Sequence, residues 1–137
     1  MTSWTPKLTN VVGTDGTNGT GEYIDAGGVV TFTAQIVAKK ETSAASSAGF
    51  GLKLPVPAKT GKRVVFQLEL DGRDADGGVW SGGGVIYAGG DGTQIDRLRV
   101  TTDSNGAALS NIGYLYGDAE GAAEAEIITV SGSYIRA

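Results

Sequence analysis

The most regular feature of the chain is the alternation of apolar and polar positions. Val30, Phe32, Ala34 and Ile36 alternate with Thr31, Thr33 and Gln35, and period two is the mark of a strand with one face buried, because successive side chains point to opposite sides. Phe50, Leu52 and Leu54 alternate with Gly51 and Lys53 until Pro55-Val56-Pro57 ends the run, since proline donates nothing to a ladder. Val64, Phe66, Leu68 and Leu70 alternate with Val65, Gln67 and Glu69 and stop at Asp71-Gly72, a turn dipeptide.

Shorter segments follow: Val79-Trp80, Gly84 to Ala88, Thr93 to Thr102, Ile112 to Tyr116 and Glu126 to Ile135. Within Thr93 to Thr102, Ile95 is out of phase with Leu98 and Val100, so a β-bulge near Asp96-Arg97 is expected. Turn clusters such as Asp91-Gly92 and Asn105-Gly106 separate these segments. Lys40 to Ala48 is serine-rich and Ala119 to Ala125 lacks an apolar stripe, so both read as loops or single turns. The pattern predicts an all-β chain, an antiparallel β-sandwich or jelly roll of about 8–9 short strands. It predicts one domain over residues 1–137, with residues 1–21 an N-terminal arm and a Gly/Thr-rich loop (Val12 to Gly21).

Composition narrows the chemistry. The chain has 137 residues, 23 of them glycine, and neither histidine nor cysteine. Ser-His-Asp and Cys-His nucleophiles, Cys/His zinc sites and disulfides therefore lack their residues. Eleven basic against fifteen acidic residues give a net charge of −4, which disfavours a phosphate-backbone partner. No apolar run approaches the roughly 20 residues of a membrane span, and Met1 to Asn10 lacks the basic and apolar regions of a secretory signal. The sequence predicts no nucleic-acid partner, no membrane insertion and no cofactor. Asn18-Gly19-Thr20 matches a glycosylation acceptor and is read as a turn.

Three local motifs bear on chemistry. Asp71, Asp74 and Asp76 alternate as calcium ligands do, but aligning Asp74 and Asp76 with the third and fifth loop positions puts Gly72 first and Gly83 twelfth, where acids are required; a solvated turn is expected and no metal site. Gly82-Gly83-Gly84, Gly89-Gly90 and Lys59-Thr60-Gly61-Lys62 do not match phosphate-cradling spacings. The fifteen carboxylates leave a glycosidase pair open, a separation that sequence does not measure. Among the aromatics, the three Phe are in phase with core faces. Trp80, Tyr87, Tyr114 and Tyr116 lie beside glycine-rich segments, where an aromatic with a polar handle suits contact with sugar or another subunit. Trp4, ahead of Thr5-Pro6, reads either as an anchor for a partner or as a lid on the chain's own core.

Trp4-Thr5-Pro6-Lys7-Leu8, the strand plan from Gly21-Glu22-Tyr23 through Gly27-Gly28 to Phe32, the Leu54-Pro55-Val56-Pro57 turn and the closing Gly132-Ser133-Tyr134 resemble virion proteins of tailed bacteriophages, especially those of actinobacteria. The resemblance implies a small β-sandwich, commonly a homotrimer, displayed on the virion as a head-decoration or minor tail protein. It implies no catalytic residues, partners among capsid or tail subunits, and synthesis in the host cytoplasm. Thr42 to Ala48 and the hairpin around Gly82 depart from that plan. Exposed sheet edges on a thin core point the same way, because closed symmetric assembly buries them. With no heptads or collagen repeats, a stand-alone subunit is expected. The alternatives are a carbohydrate- or receptor-binding module using Trp80, Tyr114 and Tyr116 on a host surface glycan, and a small hydrolase.

Overall fold

The structure, a computed structural model, describes residues 1–72, 79–101, 109–117 and 125–137. Among these residues the chain forms strands and no helix. In the first half they are β1 (Thr2–Trp4), β2 (Leu8–Thr9), β3 (Thr17–Ala26), β4 (Val29–Ala38), β5 (Thr42–Ser43), β6 (Gly51–Lys53) and β7 (Val64–Asp71). The second half adds β8 (Val79–Ile86), β9 (Gln94–Ile95), β10 (Arg97–Thr101), β11 (Leu109–Asn111), β12 (Tyr114–Leu115) and β13 (Ile127–Ile135). The all-β antiparallel expectation holds. The strand total exceeds the expected eight or nine because several two- and three-residue strands carry no readable period.

Eight strands form one antiparallel sheet in the order β1-β3-β4-β13-β7-β8-β10-β11. Two small sheets, β2-β6-β9 and β12-β5, complete the fold. Alternation decides the faces. Val30, Phe32, Ala34 and Ile36 of β4, Phe66, Leu68 and Leu70 of β7, and Ile128, Val130 and Tyr134 of β13 are buried in one cluster. The same cluster takes in Leu52 and Ile95 of the small sheet with Phe50, Ile112 and Leu115. Each large apolar side chain so buried contributes about 1.5–3 kcal/mol. An aromatic knot lies within it: the Phe32 ring stands edge-on to Phe66 at 5.2 Å, to Tyr134 at 5.9 Å and to Trp4 at 5.9 Å.

Several local expectations are corrected. Thr17 to Gly21 is not loop but the first half of β3, paired with Ala34 to Ala38 of β4, and Asn18-Gly19-Thr20 lies in that strand, not in a turn. The glycines that suggested a loop are needed for close approach. A Cβ at Gly19 would stand 2.1 Å from the Pro6 carbonyl oxygen and one at Gly21 2.5 Å from the Trp4 ring. Thr2–Trp4 and residues 17–21 are accordingly built into the large sheet as β1 and the start of β3, and Leu8–Thr9 into a small one as β2, where an arm was expected.

Val79-Trp80 and Gly84 to Ile86 belong to one strand, β8, while Tyr87 and Ala88 lie beyond its end; its middle glycines let β10 come close, and a Cβ at Gly82 would meet the Arg99 carbonyl oxygen at 1.8 Å. The parity change at Asp96 marks a change of sheet. Ile95 pairs with Leu52 in the small sheet, Leu98 with Gly84 in the large one, and both are buried. Of Ile112 to Tyr116 only Tyr114–Leu115 is strand: β12, paired with β5. Lys40 to Ala48 contains β5. Asp74, Asp76, Asn105-Gly106 and most of Ala119 to Ala125 lie outside the described residues.

Candidate functional site

The five aromatic candidates are dispersed. Trp4 pairs with Gly21, and its ring packs edge-on to Tyr23 and Phe32 against the core. This packing is the one expected of a lid on the chain's own core. Trp80 pairs with Leu70 on the buried face and also packs on the core. Tyr114 and Tyr116 are half-buried, their rings 4.5 Å apart and inclined at 61°. Tyr114 lies on β12 in the two-stranded sheet, whereas Trp80 lies on β8 of the large one. The Tyr116 N–H donates to the fully buried Glu126 carboxylate at 2.6 Å. Tyr87 has the most unusual surroundings: the guanidinium carbons of Arg63 and Arg97 lie 5.9 and 5.5 Å from its ring centroid. Its N–H donates to Asp96 at 2.7 Å.

The side of the large sheet away from the core is a grid whose rows follow from the register. One row runs Thr20, Gln35, Thr129, Glu69, Ser81 across β3, β4, β13, β7 and β8. The next runs Glu22, Thr33, Ser131, Gln67, Gly83, Arg99 and ends at Asn111 on β11. Hydroxyl and amide groups dominate the middle of this face. At its margin Ile24, Val29, Val65 and Ile135 remain exposed, Val65 at 67% and Ile135 at 59%.

Two features stand out on this side of the molecule. A groove of about 620 Å³ is lined by Ser3, Thr20, Glu22, Thr33, Gln35 and Thr129, among others. Glu69 lies directly across from Thr129 at its border. The second feature is the loop before β7. Lys59, Lys62 and Arg63, all exposed, line a second recess of about 440 Å³ together with Val64 and Ile135. Sequence reasoning overlooked both. The signal for the groove was the filling of strand polar positions by Thr and Gln instead of Lys and Glu; the signal for the loop was its three cations, set aside once the phosphate-cradle spacing failed.

Several other polar groups are internally committed. Asp25 pairs with Arg136 at 2.5 Å. The Thr93 backbone N–H and hydroxyl, in that order, hold the Asp91 carboxyl below its usual range. Burial raises the Tyr134 phenol from 10.0 to about 12, although its hydroxyl donates to the Val56 carbonyl at 2.6 Å. Among the described residues no three acidic side chains converge as metal ligands would. Comparison with protein-family models, with curated proteins and with solved structures finds no match to this chain.

Proposed function

We propose that the chain is a non-enzymatic structural subunit of a bacteriophage virion, displayed on the head or tail and associated as a homotrimer. The observation that carries this reading is the eight-stranded sheet whose second face bears mainly Thr, Ser and Gln and whose outer strands, β1 and β11, each pair on one side only among the described residues. An open face and two free edges invite pairing with other chains, and symmetric assembly is the ordinary way to cover them. The lack of histidine and cysteine and the resemblance of the N-terminal and closing segments to virion proteins support the same reading.

Immunogold labelling of intact virions with antibody to the purified chain tests it. Regular labelling of heads or tails is expected, and the position of the label assigns the location. Particles that neither label nor contain the chain by mass spectrometry overturn the proposal.

A further inference from the structure

The charges on and beside the open face are segregated. Glu22 lines the groove and Glu69 is the register partner of Thr129 in its lining, and neither forms an ion pair or a side-chain hydrogen bond among the described residues. Lys59, Lys62 and Arg63 lie on the loop before β7, equally without a carboxylate partner. Two carboxylates lie toward this loop and both are engaged: Asp96 accepts the Tyr87 N–H, and Asp91, next to the Gly92 that packs on Thr60, accepts from Thr93. The Arg63 side chain is oriented by the Tyr87 ring, whose negative face attracts a guanidinium. Exposed Val65 and Ile135 flank the loop. An exposed cationic loop with an apolar border and a polar groove that carries Glu22 thus occupy different parts of one molecule.

We propose that the Lys59–Arg63 loop of one copy seats in the Glu22 groove of a second copy. This deepens the reading of the chain as an assembling subunit and rests on it. The contact is head-to-tail, because loop and groove are different surfaces, and such contacts close into rings when the rotation permits. Pairing loop with loop would instead set cations against cations, a like-charge juxtaposition that interfaces avoid. In the proposed contact the Arg63 fork and the Lys62 ammonium meet Glu22, Glu69 and the Gln35 amide oxygen, and the second copy covers Val65 and Ile135. Edge strand β1, which contributes Ser3 to the groove rim, lies beside the incoming chain.

Sedimentation velocity of the full chain tests the contact in four forms: the parent, Glu22→Lys, the pair Lys62→Glu with Arg63→Glu, and all three substitutions together. The parent is expected near 42 kDa, about three times the chain mass, and to dissociate as salt rises from about 0.05 to 0.5 M, since screening shortens the reach of exposed charges. Glu22→Lys and the loop double variant should each weaken association at least tenfold, and the triple variant, with the charges exchanged, should recover most of it. Circular dichroism confirms folding, and Glu22→Gln with Lys62→Ala serves if a reversal fails to fold. A parent that stays monomeric at low salt overturns the contact. So does an assembled parent indifferent to the reversals, or a triple variant no better than Glu22→Lys and the loop double variant. In the indifferent case the virion reading survives, whereas absence from particles removes that reading without touching the contact.

Discussion

Trp4 occupies the space that a side chain on residue 21 would fill. A Cβ placed on Gly21 lies 2.5 Å from one carbon of the indole and 2.6 Å from the next, while the same ring reaches Phe32 at 5.9 Å. The pairing of Trp4 with Gly21 in register makes this approach obligatory. A residue that looks in sequence like a loop former is the floor on which the N-terminal segment rests.

Trp4 and Gly21 should therefore be coupled. Gly21→Ala is expected to destabilise by about 1–3 kcal/mol through overpacking, and Trp4→Ala by about 3 kcal/mol through lost burial. In the Trp4→Ala background the alanine at 21 should cost far less, giving a coupling of at least 1 kcal/mol. Urea titration of the four chains, repeated at two protein concentrations, measures this. Additive losses would show that the ring sits elsewhere.

Phe66 and Gln67 test the division of faces. Phe66, 2% exposed and edge-on to Phe32 and Tyr134, should lose about 3–5 kcal/mol on change to Ala. Gln67, on the open face, should change stability by no more than about 0.5 kcal/mol as alanine. Equal effects in chemical denaturation would contradict the burial pattern of β7.

Tyr134 sets a limit at high pH. Burial raises the phenol from 10.0 to about 12 in the folded chain, whereas the unfolded chain ionises near 10. Between these values the unfolded state has released the proton and the folded state has kept it, so stability is full below pH 10 and falls through pH 10 to 12. Thermal melts from pH 9 to 12 should show a steeper decline for the parent than for Tyr134→Phe. At pH 8 the phenylalanine variant should be less stable by about 1–3 kcal/mol, because the Val56 carbonyl loses its donor. Parallel curves would refute the assignment.

Glu126 is fully buried, and its carboxylate and backbone hold two segments together. The side chain accepts the Tyr116 N–H, its N–H donates to the Tyr116 carbonyl at 3.2 Å, and its carbonyl accepts the Ala38 N–H at 2.9 Å. Glu126→Ala should cost about 1–3 kcal/mol by leaving a buried amide unsatisfied, with Glu126→Gln recovering part of the loss. Hydrogen exchange at Tyr116 reads the local effect directly, and an unchanged rate in Glu126→Ala would dismiss the bond.

The amino-acid sequence by itself determined the class of the fold and the faces of its strong strands. The alternation in Val30 to Ile36 and Val64 to Leu70 is local, and each residue's side follows from its neighbours along the chain. The buried sets in β4 and β7 agree with it, apart from the half-buried Val64. Composition likewise removed histidine and cysteine chemistry without reference to any contact. Tertiary structure alone decided what the glycines do, because the ring over Gly21 and the carbonyl over Gly19 come from a segment some fifteen residues away. It alone moved the chain from one sheet to the other at Asp96. The groove and the cationic loop were illegible for the same reason. Glu22, Thr33 and Ser131 become neighbours only through pairing between strands, and no period along the sequence encodes which strand lies beside which.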